Sequence, residues 1–147
     1  ETDFCNRVWL SGYKCYYFPS ATVFHAGGGT SLTFPNSYIQ FHNFKNKLLS
    51  LLKNMEIKSI LKILPVYMLF NFSLSFVWLI QGKFKHSLSL YKAIWWNLSN
   101  INSTLSKRRK IQLLRKISDR EIFKFTLLNP RLSYYYYLLR GVENYND

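Results

Sequence analysis

The chain has 147 residues, with 20 Lys and Arg against 7 Asp and Glu, a net charge of +13 and 18% aromatic residues. That length suits one domain able to bury a core, and two cysteines are too few for a disulfide framework, which excludes a small disulfide-stapled secreted fold. The charge is uneven, since residues 1–40 carry only Arg7 and Lys14 against Glu1 and Asp3, so the whole excess of +13 lies beyond them.

A neutral head joined to a basic, aromatic-rich remainder points to an anionic partner surface, either phospholipid or nucleic acid. No basic stretch, apolar run and small-residue cleavage site opens the sequence, so no secretory signal is read. Cys5 and Cys15 are expected as reduced thiols of a cytoplasmic protein. The sequence enters at Glu1 already in a helical pattern, from which a piece of a longer protein is expected.

In chain order, Phe4, Cys5, Val8 and Trp9 share one face and predict a helix over residues 1–12. Asp3 and Arg7, four apart, read as an intrahelical pair, and Gly12 as the left-handed residue that ends the helix. Residues 13–18, aromatic and closed by Pro19, and residues 21–25 read as two short strands. Three consecutive glycines, Gly27, Gly28 and Gly29, demand a loop over 26–31. From about residue 36 the pattern is helical. Phe41, Phe44, Leu48, Leu51, Leu52 and Met55 form one stripe, interspersed with Lys45, Lys47 and Lys53.

Residues 63–80 hold no charge. Eighteen residues make about 27 Å of helix, near the lower limit of a bilayer crossing. An embedded or interfacial segment is expected there, with Pro65 in its first turn. Gln81 and Gly82 break it. Phe84, Leu88, Tyr91, Trp95, Leu98, Ile101 and Leu105 then mark one further helix flanked by Lys83, Lys85 and Lys92, the pattern of a helix lying in a membrane interface. The basic run Lys107 to Lys110 follows. Ser118-Asp119-Arg120-Glu121 reads as a capping box opening another helix, and four tyrosines, Tyr134 to Tyr137, precede a polar tip. Asn-x-Ser/Thr triplets at Asn71, Asn97 and Asn102 are read as chance.

The segment Glu1-Thr2-Asp3-Phe4-Cys5-Asn6-Arg7, followed by Leu10-Ser11-Gly12-Tyr13, resembles the acidic-pair motif of family 2 glycosyltransferases. Tyr17-Phe18-Pro19-Ser20-Ala21-Thr22-Val23-Phe24-His25-Ala26-Gly27-Gly28-Gly29-Thr30-Ser31 is similar to the family's Y-x-P-x-A-x-V-x-H-x-G-G-x-S block. Residues 41–54, with Lys45-Asn46 and Leu51-Leu52-Lys53-Asn54, resemble the R-N-x-L-x-L-L-L-K-N stretch of rhamnosyltransferase-like members. The likeness covers about residues 1–54, and residues 55–125 agree only in character. It implies an α+β, mostly α-helical chain. Residues 1–35 would be the C-terminal edge of a GT-A (α/β) catalytic domain, residues 36–130 a basic, hydrophobic, membrane-associated helical tail, and residues 131–147 a C-terminal tip.

The resemblance also implies chemistry, that of an inverting transferase. Such an enzyme needs a base to take the proton of an acceptor hydroxyl as it attacks the anomeric carbon. Glu1 matches that position, with glutamate where the family has aspartate, and a carboxylate at a helix N-terminus is stabilised as the anion. The family's first acid and its D-x-D motif lie before this segment. A divalent metal, Mg or Mn, neutralises the leaving diphosphate in the complete enzyme. His25 matches a histidine that ligates it in some relatives, although a histidine at a strand end is equally a structural hydrogen-bonder. Gly27, Gly28, Gly29, Thr30 and Ser31 match a loop folding over donor and acceptor. Lys45 matches a basic position suited to a diphosphate or lipid phosphate, a solvated face being the other reading.

The implied partners are a nucleotide-sugar donor, held mainly by a preceding half, a glycan or lipid-linked acceptor, and an anionic membrane at its cytoplasmic face. No nucleic acid is expected. Two other readings stand beside this one: a non-enzymatic basic nucleic-acid-binding module and a membrane anchor without catalytic history. The first lacks any RNP, KH, zinc or helix-turn-helix pattern, and the second leaves the ordered match of residues 1–31 unexplained.

Overall fold

The computed structural model of the chain describes residues 2–16, 18–22, 24 and 33–126. Among them every regular element is a helix: α1 (Thr2–Leu10), α2 (Asn36–Asn54), α3 (Ile57–Ile80), α4 (Phe84–Ser99), α5 (Ile101–Leu113) and α6 (Asp119–Thr126). The α+β expectation, with an edge of a GT-A domain at the head, is therefore overturned. A strand needs a neighbour to satisfy its backbone, and no second strand is present among the described residues. Tyr13, Tyr16, Phe18 and Phe24 are all exposed, so this aromatic segment presents no buried face to a sheet. Pro19 instead occupies a turn closed by the Ala21 N–H donating to the Phe18 carbonyl at 3.0 Å.

Two glycines set the chain's course. Gly12 (φ 87°) and Gly82 (φ 70°) are left-handed, and each ends a helix in the same way. Gly12 N–H donates to Trp9 O at 2.9 Å and Tyr13 N–H to Val8 O at 3.1 Å, while Gly82 N–H donates to Leu79 O at 3.0 Å and Lys83 N–H to Trp78 O at 2.8 Å. These are the paired bonds of a Schellman ending.

α3 begins at Ile57, eight residues before Pro65, so Pro65 lies in the helix interior rather than its first turn. The longer helix takes in Lys58 and Lys62 and is long and apolar enough to cross a bilayer by length and composition. Proline in such a helix forfeits one backbone bond, a loss that apolar helices tolerate where neighbouring groups take up the freed carbonyl. The single helix expected across residues 84–105 is divided at Asn100. Its side-chain amide donates to Trp96 O at 2.8 Å, ending α4, and its carbonyl accepts from Thr104 N at 3.0 Å, starting α5. Asparagine competes for backbone partners in this way, which makes it a poor interior helix residue.

The topology follows from the contacts. α3 runs antiparallel to α4, with the Phe72 ring tilted against Tyr91 and Trp78 meeting His86 edge-on. α2 runs parallel to α4 and α5, since Lys45 O accepts from Asn97 Nδ2 at 3.3 Å and Leu52 O from Arg108 at 2.6 Å. At one end Leu10, Ile111 and Ile122 make an ordinary apolar core, with Trp9 and Ile117 against it. Each such buried side chain contributes about 2 kcal/mol.

The α3–α4 hairpin is built the other way round. Ser75 (0% exposed) and Ser87 (2%) lie between its helices, Leu90 (1%) and Ala93 are also buried on α4, and Asn97 (2%) turns toward α2, while Phe84 (66%) and Trp95 (71%) point outward with Leu88, Tyr91 and Leu98. The two serine hydroxyls hydrogen-bond across the interface at 2.6 Å. Small and polar residues at a helix contact with apolar residues outside are also common where helices pack in lipid.

Candidate functional site

α1 carries Asp3 in its first turn, and its carboxylate is where two of the resembling segments meet. The Asp3–Arg7 pair expected from their spacing is present at 3.4 Å, yet the shorter contacts cross to the end of α2. Asn54 Nδ2 donates to Asp3 Oδ1 at 2.8 Å, and Lys53 Nζ to Oδ2 at 3.1 Å. Asn54 also donates to Ser50 Oγ at 3.0 Å, which fixes its amide. Partial burial raises the Asp3 pKa, but the hydrogen bonds from Asn54 and Lys53 and the Lys53 charge outweigh it and hold the carboxyl below the ordinary aspartate range.

The end of α2 that bears Lys53 and Asn54 is itself gripped from α5. Arg108 donates to the carbonyls of Leu52 and Met55, both at 2.6 Å. Gln112 donates to those of Lys53 and Asn54, both at 3.0 Å, and Arg115 also donates to Asn54 O. The last carbonyls of a helix have no intrahelical partner, and cations suit that negative end. Arg115 in turn pairs with buried Asp119 at 2.9 Å. Asp119 accepts from Glu56 N–H at 2.6 Å while its own N–H donates to Glu56 Oε2 at 3.1 Å. Arg108, one of four residues in the basic run, is thus committed to the fold, whereas Lys107, Arg109 and Lys110 are exposed.

Beside Asp3 opens a cleft of about 640 Å³, lined by Thr2 and Asn6 of α1 and by Asn43, Asn46, Lys47 and Ser50 of α2. Amides and hydroxyls that both donate and accept, with the ammoniums of Lys47 and Lys53 and an apolar floor of Leu49, Leu51 and Met55, suit a hydroxyl-bearing or anionic ligand with an apolar face.

Glu1, His25, Gly27, Gly28, Gly29, Thr30 and Ser31 lie outside the described residues. Lys45 is described and stands apart from the Asp3 cleft. Its ammonium lies 4.9 Å from the Trp96 ring centre and 5.5 Å from that of Phe41, and donates to His42 Nδ1 at 3.2 Å. Desolvation and the Lys45 charge push His42 below the ordinary histidine range, so it meets that ammonium as a neutral acceptor. Among the described residues no cluster of His, Cys, Asp or Glu could hold a metal ion. Cys5 and Cys15 are free thiols.

No protein-family model, curated protein or solved structure matches the chain. What the sequence left unmarked is the partnership of Asp3 with Lys53 and Asn54, some fifty residues away. Its one trace was that both ends fall in segments resembling the same family.

Proposed function

We propose that this chain is the membrane-seated C-terminal portion of an inverting glycosyltransferase, moving a sugar from a nucleotide-diphosphate donor to a glycan or lipid-linked acceptor at the cytoplasmic face of a membrane. The observation that carries the reading is the bond of Asp3 to Lys53 and Asn54. It joins the acidic-motif helix to the segment resembling the family's following block, beside a cleft whose amides, hydroxyls and lysines could meet an acceptor's hydroxyls. The outward apolar face of α4 and the length of α3 support the membrane seat.

In this reading Glu1 takes the proton of the acceptor hydroxyl. The oxygen attacks the anomeric carbon, and the bond to the diphosphate breaks on the opposite side. The donor is held mainly by a preceding half. The test uses the longest reading frame containing this chain. A nucleotide-binding half with a D-x-D motif is expected upstream of Glu1, and Glu1→Gln in that protein should lower turnover by about 10²–10⁴-fold, as loss of a general base does, with donor affinity little changed. Near-native turnover in Glu1→Gln, or a stop codon directly before Glu1, overturns the proposal.

A further inference from the structure

The parallel course of α2 and α4 brings their N-terminal halves together around a second cavity, of about 540 Å³ and distinct from the Asp3 cleft. Its walls are of two kinds. Pro35, Tyr38 and Phe41 of the α2 side face Leu88 of α4, while Lys85 and Lys92 stand one turn to either side of Leu88. The volume is that of a small-ligand site.

The charge here is of one sign. Neither Lys85 nor Lys92 has an ion-pair partner among the described residues. The described acids gather at the opposite end of α2, where Asp3 meets Asn54, Glu56 meets Asp119 and Glu121 caps α6 at Ser118. Neither α2 nor α4 has an acid in its first turn, so among the described residues no acid lies beside the two ammoniums. Leu88 also belongs to the outward apolar face of α4 with Phe84, Tyr91 and Trp95, so the cavity opens beside the surface most suited to lie among lipid chains. A ligand matching these walls has one anionic head and an alkyl chain attached to it.

We infer that this cavity binds one anionic phospholipid, its phosphate between Lys85 and Lys92 and its chain along Tyr38, Phe41 and Leu88. The site rests on the membrane half of the proposed function and not on its transferase half. It differs from diffuse attraction to a charged surface in being stoichiometric and local.

The test is a native mass spectrometry titration of the chain in neutral detergent, with phosphatidic acid as the probe and phosphatidylcholine as its zwitterionic counterpart. One phosphatidic acid per chain is expected, with phosphatidylcholine much weaker and inorganic phosphate unable to displace the lipid. Lys85→Gln with Lys92→Gln should weaken the adduct by about 30-fold, the equivalent of two basic residues acting near an anionic lipid. Lys107→Gln with Lys110→Gln should leave it unchanged. Adducts that never saturate, equal losses in the two pairs, displacement by inorganic phosphate, or equal binding of phosphatidylcholine would each overturn the site. Vesicle binding that survives loss of the stoichiometric adduct would leave the membrane reading standing and remove only this inference.

Discussion

Asp3 joins α1 to the end of α2 through two side-chain bonds. Hydrogen bonds to a charged partner are worth about 1.5–3 kcal/mol when buried, and partial exposure of this carboxylate reduces that. Asp3→Ala should therefore destabilise the chain by about 1–2 kcal/mol in thermal or denaturant unfolding. The pH dependence has a definite sign. Because the folded carboxyl titrates below its ordinary value, its contribution is complete above the unfolded value of about 3.9 and is lost as pH falls through the lower folded value. Asp3→Asn should flatten that acid limb, and an unchanged limb would show that Asp3 does not govern it. At this scale the sequence was only half legible. Spacing revealed Asp3 with Arg7, because a helix fixes neighbours four apart. Lys53, Asn54 and the Arg108–Gln112–Arg115 grip are set by chain return, which no local spacing records.

Helix positions were legible where punctuation was strong. Gly12 and Gly82 end helices as expected. The capping box is formed, with Ser118 N–H donating to Glu121 Oε2 at 3.1 Å and Glu121 N–H to Ser118 Oγ at 3.3 Å. The strands at residues 13–18 and 21–25 were misread because aromatic content mimics strand propensity, and propensity without a pairing partner does not make a sheet. Asn100 was overlooked since the apolar spacing runs straight through it. The stripe of α4 and its flanking lysines were legible as an outward apolar face, but the helices that pack against its other side were not, because periodicity locates a stripe without naming what lies behind it. The Ser75–Ser87 bond tests the inverted interior. Ser75→Ala leaves the Ser87 hydroxyl buried and unpaired, at a cost of about 1–3 kcal/mol, while Ser75→Ala with Ser87→Ala should recover much of it. A double variant as unstable as the sum of the single ones, measured by loss of helical circular dichroism in neutral detergent, would show that the hydroxyls do not act as a pair.

For the whole molecule, two attractions to an anionic membrane follow from the same surface. Phe84, Leu88, Tyr91, Trp95 and Leu98 offer apolar area that salt does not screen, and exposed Lys83, Lys85, Lys92, Lys107 and Lys110 offer charge that it does. Each basic residue near such a surface contributes about 1 kcal/mol. Sedimentation with vesicles should show tight binding when anionic lipid is present, partial loss in high salt, and a blue shift of tryptophan fluorescence. Steep salt-dependent binding to nucleic acid with little affinity for vesicles is the opposite outcome and would sink the membrane reading.

The inverted α3–α4 interior has a calorimetric consequence. The heat-capacity rise on unfolding comes chiefly from apolar surface newly wetted, and amounts to about 12–15 cal/mol/K per residue in ordinary globular domains. In this hairpin much of that surface is already outside, and beside Leu90 and Ile60 unfolding uncovers serine, asparagine and alanine, groups whose hydration adds little to the increment or lowers it. A heat-capacity step per residue below that of an ordinary globular domain is therefore expected in scanning calorimetry, and with it a flatter stability curve.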